Sequence, residues 1–149
     1  MTALAIGPCC FAVAADAAGA GAASAWLAQV CAEHGVPPEQ VYRLDTCLTE
    51  VLANVIAHGG EGALAAPVML TLFLEEAGSE CCAVLEIADG GRPFDPLAHR
   101  AAPRAATLDE AIPGGLGLTM IRSASDRQDY AYRDGQNRLT LRFCWPIFR

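Results

Sequence analysis

One stretch of the sequence, residues 37–58, reads as a single long helix with one apolar face, and it constrains the fold more than any other feature. It opens with Pro37-Pro38, which suit the first turn of a helix because the N–H that proline lacks would have no partner there. Apolar residues then recur at three- and four-residue spacing, which places them on one side of the helix. They are Val41, Leu44, Leu48, Val51, Leu52, Val55 and Ile56. The helix is predicted to end near His58, before two glycines.

Shorter elements flank this helix. A strand is predicted at residues 9–14, and a helix follows from Asp16, a favourable N-cap residue, to about His34. The remaining predicted elements are strands at 67–75 and 81–88, a short helix at 116–125, and a last hairpin with strands at 130–132 and 138–145. This order predicts a two-layer α/β sandwich of the α+β type, with a mixed, largely antiparallel sheet and the helices on one face. No repeat or linker interrupts it, so residues 1–149 are predicted to form one domain.

Composition and charge exclude several classes of protein. The chain is 53% hydrophobic, which is enough to bury a core and argues against intrinsic disorder. Its net charge is -7, and all ten basic residues are arginines. A basic stripe for direct nucleic-acid binding is therefore not expected. A phosphate loop of the lysine-dependent type is excluded because the sequence contains no lysine.

The N-terminus and the cysteines predict a cytoplasmic protein that does not bind membranes. The first positive charge is Arg43, so a secretion signal with a basic start is not expected, and no apolar run reaches 18 residues. The seven cysteines are an odd number without CxxC spacing, which indicates neither a zinc site nor a disulfide framework. Most of them are predicted to be small core residues in a reducing compartment.

Three polar residues follow the edge of the apolar stripe in the long helix. Glu50, Asn54 and His58 are spaced by four, so they form a stripe that drifts by only about 40° per step. Asparagine is unfavourable inside a helix because its side chain competes for backbone groups, so its position calls for a reason. Taken alone, however, Glu50 fits a solvated surface acid and His58 a C-terminal capping residue.

Two glycine-rich motifs follow later in the chain. In the first, Asp89–Pro96 (DGGRPFDP), an ionised aspartate can accept from an exocyclic amine such as that of adenine, and Gly91 allows a flat ring to approach closely. A plain Gly-Pro turn explains these residues about equally well. The second, Gly114–Leu118 (GGLGL), leads into a helix whose free N–H groups can bind phosphate without lysine. By itself it is typical of a flexible turn.

Together and in this order, the three motifs resemble the ATP-binding domain of the gyrase, heat-shock chaperone, histidine kinase and mismatch-repair superfamily, which has the Bergerat-type fold. Glu50 to His58 resembles its N box, and DGGRPFDP and GGLGL resemble its two glycine boxes. Within the superfamily, the short chain, PFDP and the ending GGLGLTMIRSASDRQDYAYRDGQNRLTLRF resemble the bacterial anti-sigma-factor serine-protein kinases. The resemblance extends from about residue 9 to residue 145.

The resemblance implies a role for each matched position. Asn54 would hold Mg²⁺ through its amide oxygen, and Glu50 would act as the general base. Asp89 would bind adenine, with Gly91 beside the ring and the hydroxyl of Thr140 helping to hold the carboxylate. The implied nucleotide-binding residues are Asn54, His58, Asp89, Gly91, Gly115, Leu116, Gly117, Leu118 and Thr140.

The resemblance also implies cofactors and partners. The implied cofactors are ATP and Mg²⁺, and a lid at residues 97–113 would cover them. The chain is expected to work as a homodimer. The expected phosphate acceptor is a Ser or Thr of an anti-anti-sigma partner of the STAS type, and the other expected partner is a sigma factor. The lid offers no lysine, so only Arg92, Arg100 and Arg104 are nearby cations. Two alternatives stay open: a nucleotide-gated binding module without catalysis, and a subunit whose pocket is degenerate.

Overall fold

The computed structural model describes residues 6–98 and 115–147, and a five-stranded sheet organises them in the order β1-β2-β3-β5-β4. Every neighbouring pair of strands is antiparallel. The strands are β1 (Ile6–Val13), β2 (Val68–Ala77), β3 (Glu80–Asp89), β4 (Arg127–Arg133) and β5 (Gln136–Pro146). The helices are α1 (Ala17–Glu33), α2 (Pro38–His58), α3 (Gly60–Ala65) and α4 (Gly115–Ala124). The predicted α/β architecture is confirmed.

The two long helices begin and end where the sequence predicts. The carboxylate of Asp16 accepts a hydrogen bond from the N–H of Gly19 at 2.7 Å and so caps α1. Gly35, just beyond α1, has a φ of 69°, the left-handed conformation that suits glycine. The apolar face of α2 is buried in the core, except that Val41 is partly buried and Ile56 is 45% exposed at the margin of the stripe.

The sheet buries one face against the helices. Along β5 the inward positions alternate as Asn137, Leu139, Leu141 and Phe143, all buried. Leu85 and Ile87 of β3 join them in one core with residues of α1, α2 and α4. Thr140 lies between these inward positions and therefore belongs to the opposite face of the sheet. This alternation decides which polar residues of β5 can reach a site at the helix side.

Helix α4 packs antiparallel to α2. The Nε of Arg43 donates to the carbonyl of Ala124 at 2.8 Å, near the end of α4. One turn further along α2, the thiol of Cys47 contacts the carbonyl of Ile121, one turn earlier in α4. The first turn of α4 therefore lies toward the half of α2 that carries Asn54.

Two features differ from the sequence prediction. The strands extend one to three residues further than predicted at several ends, and β1 begins at Ile6 rather than at residue 9. Helix α3 was not predicted at all, because six residues are too few to show a helical period.

None of the described helices is long and apolar enough to cross a membrane.

The sequence indicates no disulfide framework, but the structure contains one disulfide among the described residues. Cys82 and Cys144 form it, with their Cα atoms 4.1 Å apart. The two residues stand directly opposite each other on β3 and β5, a pairing that depends on strand register and not on spacing along the chain. The core interpretation holds for Cys31 and Cys47, whose thiols have a pKa raised by burial to about 11 and about 12. The cysteines therefore do not indicate a reducing compartment.

Candidate functional site

An open pocket lies between the second half of α2, the end of β3 with the loop after it, and strands β4 and β5. Its floor is apolar and includes Val51, Val55, Ile87 and Leu139. The polar residues that line it are Asn54, His58, Asp89, Arg92, Tyr130 and Asn137. The long helix and the first glycine motif, which are separate in the sequence, thus meet in one pocket.

Asn54 contributes a buried amide to the wall of this pocket. Its side chain belongs to a residue only 7% exposed, and its Nδ2 has no hydrogen-bond partner among the described residues. A buried polar group without a partner costs about 1–3 kcal/mol, so such groups are rare without a reason. The Nδ2 of Asn54 therefore suits an acceptor atom of a ligand in the pocket.

Glu50 and His58 lie on either side of Asn54 along α2. His58 lines the pocket and stacks on the ring of Phe94, with 4.7 Å between the ring centroids and 14° between the planes. This stack joins the end of α2 to the loop after β3. Glu50 is partly exposed and does not appear among the described residues that line the pocket. It lies one turn before Asn54 on α2.

Asp89 lines the pocket with a buried carboxylate, 7% exposed. Its Oδ1 accepts hydrogen bonds from the N–H of Gly91 at 2.9 Å and from the Nδ2 of Asn137 at 3.1 Å. Its Oδ2 accepts none from the part of the chain that the structure describes. One oxygen is therefore held by the protein, and the other remains available to a donor in the pocket.

The role implied for Thr140 is not supported. Asp89 pairs with Asn137, and Thr140 lies three residues further along β5, where it pairs with Glu86. Because side chains alternate between the faces of a sheet, a separation of three residues places Thr140 on the face opposite to Asn137. Asn137 instead holds Asp89. Sequence reasoning missed Asn137, although a signal exists: it continues the inward alternation of Leu139, Leu141 and Phe143, where a polar residue is unexpected.

The two glycines after Asp89 serve backbone packing in addition to any ligand contact. A Cβ on Gly91 would lie 2.7 Å from the Cα of Gly59, so the two backbones touch directly. A Cβ on Gly62, in α3, would lie 2.4 Å from the carbonyl oxygen of Gly90. These glycines allow the loop after β3 to lie on the turn between α2 and α3. The interpretation of Gly91 as space for a flat ring alone was therefore incomplete.

We expect Gly62→Ala to lower the free energy of unfolding by about 2 kcal/mol, because the added methyl group would overlap a backbone carbonyl that cannot rotate away. Gly21→Ala, in α1, is the matched control. No atom lies within 4 Å of its Cβ position, and alanine in a helix should raise stability by about 0.5–1 kcal/mol. Urea unfolding followed by circular dichroism measures both. Equal stability of the Gly62 variant and the parent would contradict this close packing.

The second glycine motif and the lid are described only in part. Helix α4 begins at Gly115, as the motif predicts for a helix N-terminus, but the side chains of Leu116 and Leu118 are not among those described. Most of the predicted lid, residues 97–113, lies outside the described residues, as do Arg100 and Arg104. Arg92 does line the pocket.

Two solved structures share this fold. The RsbU and RsbW domains of Rv1364c from Mycobacterium tuberculosis match with a TM-score of 0.67 and 16% identity, over 95% of this chain and 34% of that one. The chain thus spans about a third of that longer protein. The SiaB-SiaC complex from Pseudomonas aeruginosa matches with a TM-score of 0.50 and 15% identity, over 92% of this chain and 89% of the other. At these identities the likeness shows the fold alone.

Sequence comparison goes further than the fold. The serine/threonine-protein kinase BtrW of Bordetella bronchiseptica is 34% identical over 116 residues, which are 78% of this chain and 79% of BtrW. Residues 13–143 match the family model of the histidine kinase-like ATPase domain. That match includes α2 and the loop after β3, which form the pocket. The chain therefore belongs to the histidine kinase-like ATPase domain family.

Proposed function

We propose that this chain is an ATP-dependent serine/threonine protein kinase that acts on an anti-anti-sigma partner of the STAS type and sequesters a sigma factor in the cytoplasm. Membership of an ATPase family implies nucleotide use, and the curated relative is named a serine/threonine-protein kinase. The observation that carries the proposal is the buried amide of Asn54, which has no partner among the described residues and lies one turn from a carboxylate.

Two chemically different groups line the pocket, the carboxylate of Asp89 and the amide of Asn54, and they suggest how a nucleotide would lie. Asp89 offers a buried acceptor oxygen, which suits the exocyclic amine of adenine. Asn54 lies on α2, and the antiparallel packing of α4 directs the first turn of that helix toward the same half of α2. A helix N-terminus favours phosphate because its N–H groups are free and its dipole end is positive. The adenine would therefore lie at Asp89 and the phosphates near Asn54.

The residues present fit Mg²⁺. An amide oxygen is a hard ligand of the kind Mg²⁺ takes, so the Oδ1 of Asn54 would hold the ion. The Nδ2 of Asn54, which has no partner among the described residues, would donate to a phosphate oxygen. When bound there, the ion would neutralise part of the phosphate charge. Such neutralisation is needed in a chain with a net charge of -7 and no lysine. Arg92 supplies a further positive charge at the pocket.

Glu50 would act on the acceptor rather than on the nucleotide. A partly exposed carboxylate one turn from Asn54 can receive the proton of a serine or threonine hydroxyl presented by a partner. The hydroxyl oxygen bonds to the γ-phosphorus, the bond from that phosphorus to the bridging oxygen of ADP breaks, and the proton passes to Glu50. The remaining work is positioning, as is usual for phosphoryl transfer.

The test is a transfer assay with the anti-anti-sigma proteins encoded in the same genome. The purified protein is mixed with γ-labelled ATP and each candidate partner, and we expect label on one of them at a serine or threonine. Replacing that acceptor residue by alanine should remove the label. If ATP binds but no cognate partner is labelled, the nucleotide-gated binding module replaces the kinase as the better interpretation.

The homodimer remains part of the proposal. Strand β1 is at one end of the sheet order, so its outer backbone groups have no neighbouring strand within the described chain. The apolar side chains of β1 need less cover from a partner than the sequence suggests, because Val13 is buried and Phe11 stacks on Trp26 with 5.7 Å between the ring centroids. We expect a dimer in sedimentation velocity at tens of micromolar with ATP present, and a monomer under those conditions would contradict it.

A further inference from the structure

The side chain of Asn137 is held at its nitrogen by three acceptors around the pocket. Its Nδ2 lies 3.1 Å from the Oδ1 of Asp89, 3.3 Å from the carbonyl of Gly91 and 2.8 Å from the carbonyl of Arg92. The residue is buried at the start of β5 and faces the helix side of the sheet. A single amide group therefore connects the pocket carboxylate to the loop that follows it.

The oxygen of the same amide is held by two donors. Asn137 Oδ1 accepts from the N–H of Phe94 at 2.9 Å and from the hydroxyl of Tyr130 at 2.5 Å. A backbone N–H can only donate, so the oxygen must face Phe94 and the nitrogen must face Asp89. The orientation of the amide is thus fixed by its partners. Burial raises the pKa of Tyr130, and the carboxylates of Asp95 and Asp89 add to this, so the phenol stays protonated and able to donate.

These contacts leave Asp89 asymmetric. Its Oδ1 takes both protein donors, Gly91 N–H and Asn137 Nδ2, while its Oδ2 has no donor among the described residues. We propose that Asn137, oriented by Tyr130, is a positioning residue that turns the Asp89 carboxylate so that Oδ2 accepts from the exocyclic amine of an aminopurine. This rests on the nucleotide-binding function proposed above and assigns the preference for that amine to a residue outside the three motifs.

The proposal predicts a change in preference between nucleotides and not only in affinity. The two probes are ATP and purine riboside triphosphate, which lacks the exocyclic amine and is otherwise the same. The parent should bind ATP more tightly. Asn137→Ala should reduce that preference by about tenfold, the size of a lost hydrogen bond to a charged group, because Asp89 is no longer aligned. Affinity for the analogue should change less, since the analogue makes no bond to Oδ2.

Two further variants make the test specific. Tyr130→Phe keeps the ring and removes only the hydroxyl that orients Asn137, so the preference should fall in the same direction by about threefold, even if Asn137→Ala does not fold. Thr140→Ala is the matched comparison, because Thr140 is on the same strand as Asn137 but on the opposite face of the sheet. This variant should prefer ATP over the analogue as strongly as the parent does.

The outcomes are distinct. Equal weakening of both nucleotides in Asn137→Ala would show that the residue only packs the pocket, and an unchanged preference in Tyr130→Phe would show that the hydroxyl does not orient the amide. Either result overturns the inference while leaving the nucleotide site in place. Failure of the parent to bind either triphosphate at millimolar concentration overturns the proposed function itself, and this inference with it.

Discussion

Asn54→Ala is expected to reduce the affinity for Mg·ATP by roughly 100-fold or more, to the point where binding is lost at ordinary concentrations. Residues that only support metal ligands cost up to about 100-fold when replaced, so a direct ligand should cost at least as much. Phosphate transfer depends on the bound nucleotide and should be lost with it. This is the largest effect that the proposed site predicts.

The same substitution should not destabilise the protein. The Nδ2 of Asn54 has no partner within the described parts of the chain, so its removal leaves no other group unpaired. The free energy of unfolding is therefore expected to stay the same or to rise, which separates loss of binding from loss of folding. Calorimetric titration and urea unfolding measure the two quantities on one preparation. Full affinity in the alanine variant would remove Asn54 from the site.

Glu50→Ala is expected to do the opposite: to leave nucleotide binding nearly intact and to slow phosphorylation of the partner by roughly 100-fold or more, the usual size of a lost general base. The physical reason is position, since Glu50 is one turn from Asn54 but does not line the pocket among the described residues. Nucleotide binding alone would need Asn54 and not this carboxylate. Only the kinase interpretation requires such a split between binding and transfer.

Thr49→Ala is the matched control for both variants, because Thr49 is exposed on the same helix next to Glu50. It should bind ATP and transfer phosphate like the parent. Single-turnover labelling of the partner, with the nucleotide saturating, isolates the transfer step. If Glu50→Ala labels the partner at the parent rate, Glu50 is a surface acid and its catalytic assignment is wrong.

The helices could be predicted because their signals are local. Asp16 and Gly35 mark the two ends of α1, and the prolines and the apolar period define α2. Each of these signals lies within a few residues of the helix end or face that it determines. The hairpin of β4 and β5 also followed from a local turn, at Asp134, whose φ of 56° suits a tight connection. What depends only on neighbours along the chain was therefore accessible from sequence.

What depends on register was not accessible. The disulfide of Cys82 with Cys144 and the contact of Asn137 with Asp89 both arise because β3 and β5 pair in one particular alignment. The resemblance matches Thr140 by its position along the chain, which does not show which face of the sheet its side chain is on. In the structure Thr140 is on the face opposite to the pocket. In the structure, Asn54, His58 and Asp89 line one pocket, while the chemical roles assigned to them stay predictions.

The central claim is that the pocket between Asn54 and Asp89 binds adenine nucleotide. Isothermal titration of the parent protein with Mg·ATP tests it most directly, since it requires no partner and no assumption about catalysis. The account predicts saturable heat with one site per chain, weakened when Asp89→Asn removes the carboxylate that accepts from the amine. No heat with the parent at millimolar ATP, from a protein that is folded by circular dichroism, would contradict the account.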